Sequence, residues 1–263
     1  MTSLESAPTP APLAGLRVVV TRAAHQAGGL AERFAAAGAR IELLPLLEVV
    51  PPADPRRLER AASELPLYDW VVFTSANAVE ALLPLAGGPL PARVRTAAVG
   101  PATAKALRAW QVEPDLTATL DAEGLLALLA PQVGRQRRVL LPQAADARPR
   151  LAEGLALAGA EVVTVAAYDK RLPPDAAARA AALFVAADPL GWVTFTSPRV
   201  ARHFAGLFGD RWERRRPTLR AASIGPVTTA ALRRLGAEPA AEARSPRDAE
   251  LVAAVVRAVL AAS

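Results

Sequence analysis

Apolar residues along the chain fall into short runs that alternate with stretches of helical spacing. Residues 17–21 (RVVVT), 70–73 (WVVF), 138–141 (RVLL) and 191–195 (GWVTF) are runs of the first kind. Each is too short for a buried helix, and all but RVLL are rich in β-branched or aromatic residues, so each reads as a buried strand. Residues 121–129 and 246–260 instead space their apolar positions as amphipathic helices do. Strands alternating with helical stretches of about ten to fifteen residues predict parallel α/β sheets of the doubly wound type.

The pattern occurs twice. Residues 68–75 read YDWVVFTS and residues 190–197 read LGWVTFTS. Residues 100–114 (GPATAKALRAWQVEP) and 225–239 (GPVTTAALRRLGAEP) agree at eight of fifteen positions. Residues 17–50 and 138–171 both run strand, turn, helix with LAE, then AGA and a second strand. The offsets are 121, 122 and 125 residues in one order, so the chain is a duplicated half. Each half opens with a β-α-β unit, its strands at 17–21 and 40–44 in one copy and at 138–141 and 161–165 in the other. A strand, Thr-Ser and a helix follow, then a strand ending in Gly-Pro and another helix. Each half holds enough strands for one flavodoxin-like sheet. The proline-flanked residues 45–52 and 164–173 read as extended connections between domains, and residues 1–12, with three prolines, as a flexible tail.

In open α/β sheets ligands gather at the carboxyl ends of strands, where helix N-termini present unpaired N–H groups. Four loops qualify: Thr74-Ser75-Ala76-Asn77, Gly100-Pro101-Ala102-Thr103, Thr196-Ser197-Pro198-Arg199 and Gly225-Pro226-Val227-Thr228. Their hydroxyls suit helix caps and their amides suit anions, and Ser75, Ser197, Thr103 and Thr228 are the expected N-caps. No GxxxxGK[ST] loop occurs, nor a GxGxxG after the first strand, nor a GxSxG elbow. His25 falls in the first βα loop and His203 in a helical pattern, where a structural role is expected. Tyr168, in AAYDKR at the second connection, offers a phenol.

Composition narrows the chemistry. Cysteine is absent and only two histidines occur, which argues against thiolate or His-rich metal sites. No apolar run reaches the ~18 residues of a membrane span, and the first residues lack the basic-then-apolar form of a secretory signal. A cytoplasmic globular protein is the expectation. The formal charge is +6, and of 31 basic residues only Lys105 and Lys170 are lysines. The arginines are scattered, and the densest run, 211–216, reads as a solvated loop. That spread fits a small polyanion as well as a nucleic acid, and an aromatic share of 5% leaves few platforms for stacked bases.

The segments WVVFTSANAVEAL, AAVGPATAKAL, AASIGPVTTAALRRLGAEP, LAEGLALAGAEVVTVAAYDK and WVTFTSPRVARHF together resemble the uroporphyrinogen-III synthase family over residues 13–259. The resemblance implies two flavodoxin-like parallel α/β domains joined by a two-stranded antiparallel linker, in a crossed arrangement. Residues 13–47 with 172–263 would form domain one, 53–166 domain two, and 48–52 and 167–171 the linker strands. It implies cyclisation of hydroxymethylbilane, a linear tetrapyrrole polycarboxylate, to uroporphyrinogen III with inversion of ring D and loss of water. No cofactor or metal is implied, nor a nucleic-acid or membrane partner. A monomer is implied, taking its substrate by transient handover from the enzyme that makes it. The implied cleft residues are Thr74, Ser75, Asn77, Gly100 and Thr103 from one domain and Ser197, Arg199, Gly225 and Thr228 from the other. Arg22 and Arg148 are added at the strand ends, and Tyr168 would be the acid that helps the substrate hydroxyl depart. A phenol of ordinary pKa, about 10, carries its proton at neutral pH. The alternative is a non-catalytic two-domain protein that holds a small polycarboxylate in the same cleft.

Overall fold

A computed structural model describes residues 11–118, 121–134, 136–184 and 189–262, apart from the side chains of residues 24–26. Most of the expected tail, residues 1–10, lies outside that range. The chain opens with β1 (Arg17–Val20), α1 (Ala24–Ala36), β2 (Arg40–Leu43), β3 (Glu48–Val50) and α2 (Pro55–Ser63). The first half continues with β4 (Trp70–Phe73), α3 (Ala76–Leu82), β5 (Arg95–Val99), α4 (Gly100–Ala109), β6 (Leu116–Ala118) and α5 (Ala122–Leu129). The second half begins with β7 (Arg138–Ala144), α6 (Arg150–Leu157), β8 (Glu161–Arg171) and α7 (Ala176–Leu183). Then come β9 (Gly191–Phe195), α8 (Pro198–Gly206), α9 (Trp212–Arg215), β10 (Leu219–Ser223), α10 (Pro226–Arg234), β11 (Pro239–Glu242) and α11 (Asp248–Leu260). Among the described residues no helix is long and apolar enough to cross a membrane.

The chain divides into two compact units, Met1–Glu48 with Arg171–Ser263, and Val49–Lys170. The first holds a five-stranded sheet in the order β11-β10-β9-β1-β2, its pairs all parallel. This is the flavodoxin-like order 2-1-3-4-5 read from the other edge. The second holds the sheet β3-β8-β7-β4-β5-β6, parallel from β8 to β6. Replacing each strand by its repeat partner turns β8-β7-β4-β5-β6 into β2-β1-β9-β10-β11. The two sheets therefore have one architecture, and each takes strands from both halves of the chain.

Parallel sheets need both faces covered, because each crossover lays a helix across a face. In the second unit Leu58, Val79 and Leu107 of α2, α3 and α4 pack on one face with Val71 and Phe73. Leu125 and Leu129 of α5 and Leu151 and Leu155 of α6 pack on the other with Trp70 and Val72. β4 is thus buried along its whole length, which is why it reads as an unbroken apolar run. The first unit repeats this arrangement. Residues of α7 and α8 cover Val193 and Phe195, while those of α1 and α11 cover Val18, Val20 and Trp192.

Two local expectations are corrected. The strand expected at 161–165 runs on to Arg171, because residues as far as Tyr168 continue the ladder with β7 across a register shift after Gln143. Residues 211–216 are not a solvated loop but a set of short helical turns. Trp212 anchors them: its ring is buried edge-on to Phe204, and its indole N–H donates to the Leu235 carbonyl at 2.8 Å.

Asp69, just before β4, ties three strands together. Its N–H donates to the Arg138 carbonyl and its carbonyl accepts from the Arg95 N–H, both at 2.9 Å. Its carboxylate accepts from the Arg138 N–H at 2.8 Å and from Arg137 at 2.7 Å. Burial alone would raise the Asp69 pKa, but these hydrogen bonds and the nearby arginines outweigh it and hold the carboxyl below the usual carboxylate range. A depressed folded-state pKa stabilises above the unfolded value, about 3.9, and that gain is lost as pH falls through the folded value. Asp69→Asn is expected to lower unfolding free energy by about 1 kcal/mol at pH 7, after discounting for partial exposure. Urea titrations of the two proteins should converge at acid pH, once Asp69 itself is protonated; a gap independent of pH would remove the carboxylate from the account.

Candidate functional site

The second unit reverses direction between β7 and β4, where the crossover helices change face. At this switch point a cleft of about 610 Å³ opens, lined among others by Thr74, Asp121, Glu123, Gln143, Arg148 and Arg150. Thr74 stands at the end of β4 and Gln143 near the end of β7. Arg148 is exposed, and Arg150 pairs with Glu123 at 2.6 Å. Asp121 caps α5, accepting from the Gly124 N–H at 2.8 Å. Arginine and amide donors face carboxylates at the lining, a mixture suited to a polar anionic ligand.

Ser75 follows Thr74 and caps α3. Its backbone is extended and its Oγ accepts from the Ala78 N–H at 3.3 Å. The same Oγ lies 2.9 Å from the phenol oxygen of Tyr168 on β8. Tyr168 is 5% exposed, its ring packed in the core beneath α2, α3 and α4. The Lys170 ammonium stands 5.3 Å from the centre of that ring. Asn77 lies half-buried in the first turn of α3. Gly100 opens α4 at φ +78, a left-handed conformation that favours glycine, and Pro101 follows it.

The first unit holds the repeat partners. Ser197 caps α8, its Oγ accepting from the Val200 N–H at 3.3 Å, and Arg199 sits half-buried in that first turn. Gly225 precedes α10 at φ 156 and ψ −179, a region essentially restricted to glycine. The Arg22 Nη1 donates to both carboxylate oxygens of Asp248, at 2.8 and 2.9 Å, joining the end of β1 to the start of α11. His203 is structural: its Nδ1 lies 2.7 Å from the Leu46 carbonyl. The side chain of His25 lies outside the described residues.

The expected threonine caps are corrected. Val99 and Gly225 occupy the cap positions of α4 and α10, and no side chain caps either helix. Thr103 and Thr228 lie inside those helices, each 3% exposed. The proline at each helix start sets the first turn ahead of the threonine, which therefore rotates onto the buried face. Two features escape the sequence pattern. Thr229 lies 2.6 Å from Ser223 Oγ, a buried link from α10 to β10, and donates to Glu242 at the end of β11. Lys170 is the other, and its signal was rarity: it is one of only two lysines.

The repeat supplies an internal control for the Ser75–Tyr168 bond. Ser197→Ala removes a cap alone and is expected to cost about 1 kcal/mol. Ser75→Ala removes a cap and also leaves a buried phenol hydroxyl short of a partner, adding about 1–3 kcal/mol. Urea unfolding of both variants should show the larger loss for Ser75→Ala. Equal losses would mean that the bond to Tyr168 contributes nothing to stability.

The family description "Uroporphyrinogen-III synthase HemD" matches residues 29–253. The uroporphyrinogen-III synthase of Synechococcus elongatus is 32% identical over 232 residues, covering 83% of this chain and 86% of the relative. Two solved structures share the fold at lower identity. The uroporphyrinogen-III synthetase of Helicobacter pylori superposes with a TM-score of 0.63 at 19% identity, over 92% of this chain and 99% of its own. A mutant uroporphyrinogen III synthase of Thermus thermophilus gives 0.62 at 20%, over 94% and 100%. With the match spanning most of its length, the chain belongs to the uroporphyrinogen-III synthase family, cyclising enzymes of haem biosynthesis.

Proposed function

We propose that this chain closes hydroxymethylbilane to uroporphyrinogen III, with Tyr168 as the acid for hydroxyl departure and the strand-end loops as carboxylate holders. The observation that carries the reading is the Tyr168–Ser75 hydrogen bond. It ties the phenol to the residue that follows Thr74, and Thr74 lines the switch-point cleft. Loss of the substrate hydroxyl leaves an electrophilic azafulvene that closes unaided to the wrong isomer. The main task is therefore to hold the linear chain in the conformer that inverts ring D, an orientation effect.

In the second unit, Arg148, the Thr74 and Asn77 side chains, and the amides at the starts of α3 and α4 by Ser75, Gly100 and Thr103 fit carboxylates. In the first, Arg199 and the turns at Ser197, Gly225 and Thr228 take the corresponding part. Arg22 enters more weakly, because Asp248 already holds its guanidinium. Spontaneous closure also favours transient handover from the enzyme that makes the substrate, since free hydroxymethylbilane is lost to the wrong product.

Incubation with freshly prepared hydroxymethylbilane, followed by oxidation and separation of porphyrin isomers, tests the reading. Isomer III is expected; isomer I alone would overturn it. Tyr168→Phe keeps the ring and removes the hydroxyl, and turnover is expected to fall roughly ten- to a thousandfold. Unchanged turnover with full isomer III selectivity would leave the tyrosine only a packing role.

A further inference from the structure

Two contacts converge on the Tyr168 side chain, and a third holds Ser75. Ser75 Oγ lies 2.9 Å from its hydroxyl, the Ala78 N–H donates to that Oγ at 3.3 Å, and the Lys170 ammonium stands 5.3 Å from the ring centre. A backbone N–H can only donate, so Ala78 occupies a lone pair of Ser75 and leaves the serine proton to point elsewhere. Tyr168 Oη is within reach to accept it. Hydroxyls that each accept from one neighbour and donate to the next polarise one another in a single direction. With Ser75 donating, the phenol's own proton turns away from the serine. An ammonium within about 6 Å of a ring centre interacts favourably with the ring, and more so as the ring gains negative charge.

We infer that Ser75 and Lys170 are positioning residues for Tyr168, aiming its proton at the substrate and offsetting the charge left when that proton departs. The inference rests on the Tyr168 reading given above. In the step concerned, the proton passes from Tyr168 Oη to the departing hydroxyl oxygen of the substrate. The carbon–oxygen bond breaks, its electron pair goes to that oxygen, and water leaves. A substrate azafulvenium then stands against a phenolate. The proton released when the last carbon–carbon bond closes the macrocycle restores the phenol. Neither partner is a by-product of the duplication: the repeat partners of Tyr168 and Lys170 are Leu47 and Val49. Ser197, which caps its helix in the same way as Ser75, therefore has no phenol at the equivalent place.

The test compares kcat and KM for Tyr168→Phe, Ser75→Ala, Ser75→Thr and Lys170→Met, with the alanine and methionine changes repeated in the Tyr168→Phe background. Ser75→Ala is expected to lower kcat about tenfold and Lys170→Met about threefold, by loss of a charge-assisted hydrogen bond and of a cation–ring contact. KM should stay within about twofold for Lys170→Met, because that side chain holds no carboxylate. Ser75→Thr, which keeps the hydroxyl, should retain kcat within about threefold. In the Tyr168→Phe background both losses should vanish, since neither group then has a phenol oxygen to act on. Losses that persist in that background, or that fall on KM alone, overturn the inference. If Tyr168→Phe keeps full turnover, the underlying reading fails; if it loses turnover while Ser75→Ala and Lys170→Met do not, only this inference fails. Lys170 caps no helix, so Lys170→Met keeps the test decisive where Ser75→Ala folds poorly.

Discussion

The pairing of β4 with β7 joins the two halves of the chain inside one sheet, and the candidate chemistry of the second unit depends on it. Trp70 stands beside Val139 and Val71 beside Leu140, far apart in sequence. Without this ladder the two faces could not change over between neighbouring strands, and no switch-point cleft would open beside Thr74 and Gln143. The side chain of Asp69 secures the start of the same ladder through Arg137 and Arg138. In the first unit β1 and β9 meet in the same way, Val19 opposite Val193.

Identical strand orders make the differences between the units informative. Where the first unit ends β1, Arg22 reaches across to Asp248 and closes the space with an ion pair. The equivalent of Arg22 in the second unit is Gln143, which lines the cleft. A neutral amide has no charge with which to draw a carboxylate across, and the acidic residues of the lining are engaged elsewhere, Glu123 with Arg150 and Asp121 in capping α5. The same fold thus carries a latched strand end in one unit and an open one in the other. The divergence reaches β8, where Tyr168 stands at the place of Leu47.

Elements were legible in the sequence to the extent that local physics sets them. Ser75 and Ser197 each follow an apolar strand and precede a helical run, and both cap as that pattern requires. Thr103 and Thr228 follow equally clear strands, yet the intervening Gly-Pro starts the helix earlier and turns their hydroxyls inward. Trp212 was hidden because its neighbours are charged, and the pull of Phe204 and Phe208 is a tertiary effect. Periodicity could show that strands exist, but pairing β4 with β7 is a long-range choice that no local window contains. The Arg22–Asp248 latch and the Ser75–Tyr168 bond are invisible for the same reason, each linking residues far apart in the chain.

Ser75 illustrates how one side chain can serve folding and chemistry without compromise. A helix cap needs an acceptor, and the serine oxygen provides one to Ala78. Capping leaves the serine proton free to be directed, and the extended backbone of the cap residue brings its Oγ within 2.9 Å of the phenol oxygen on β8. Alanine would lose both contacts, whereas aspartate would cap as well but bring no proton to a phenol oxygen at neutral pH. Asparagine could cap and donate, but its longer side chain would move the donor relative to a buried ring that the core holds still. Serine and threonine alone combine a capping oxygen with a donor at that distance from the backbone, and the same short reach lets Ser197 cap α8 where Leu47 replaces the phenol.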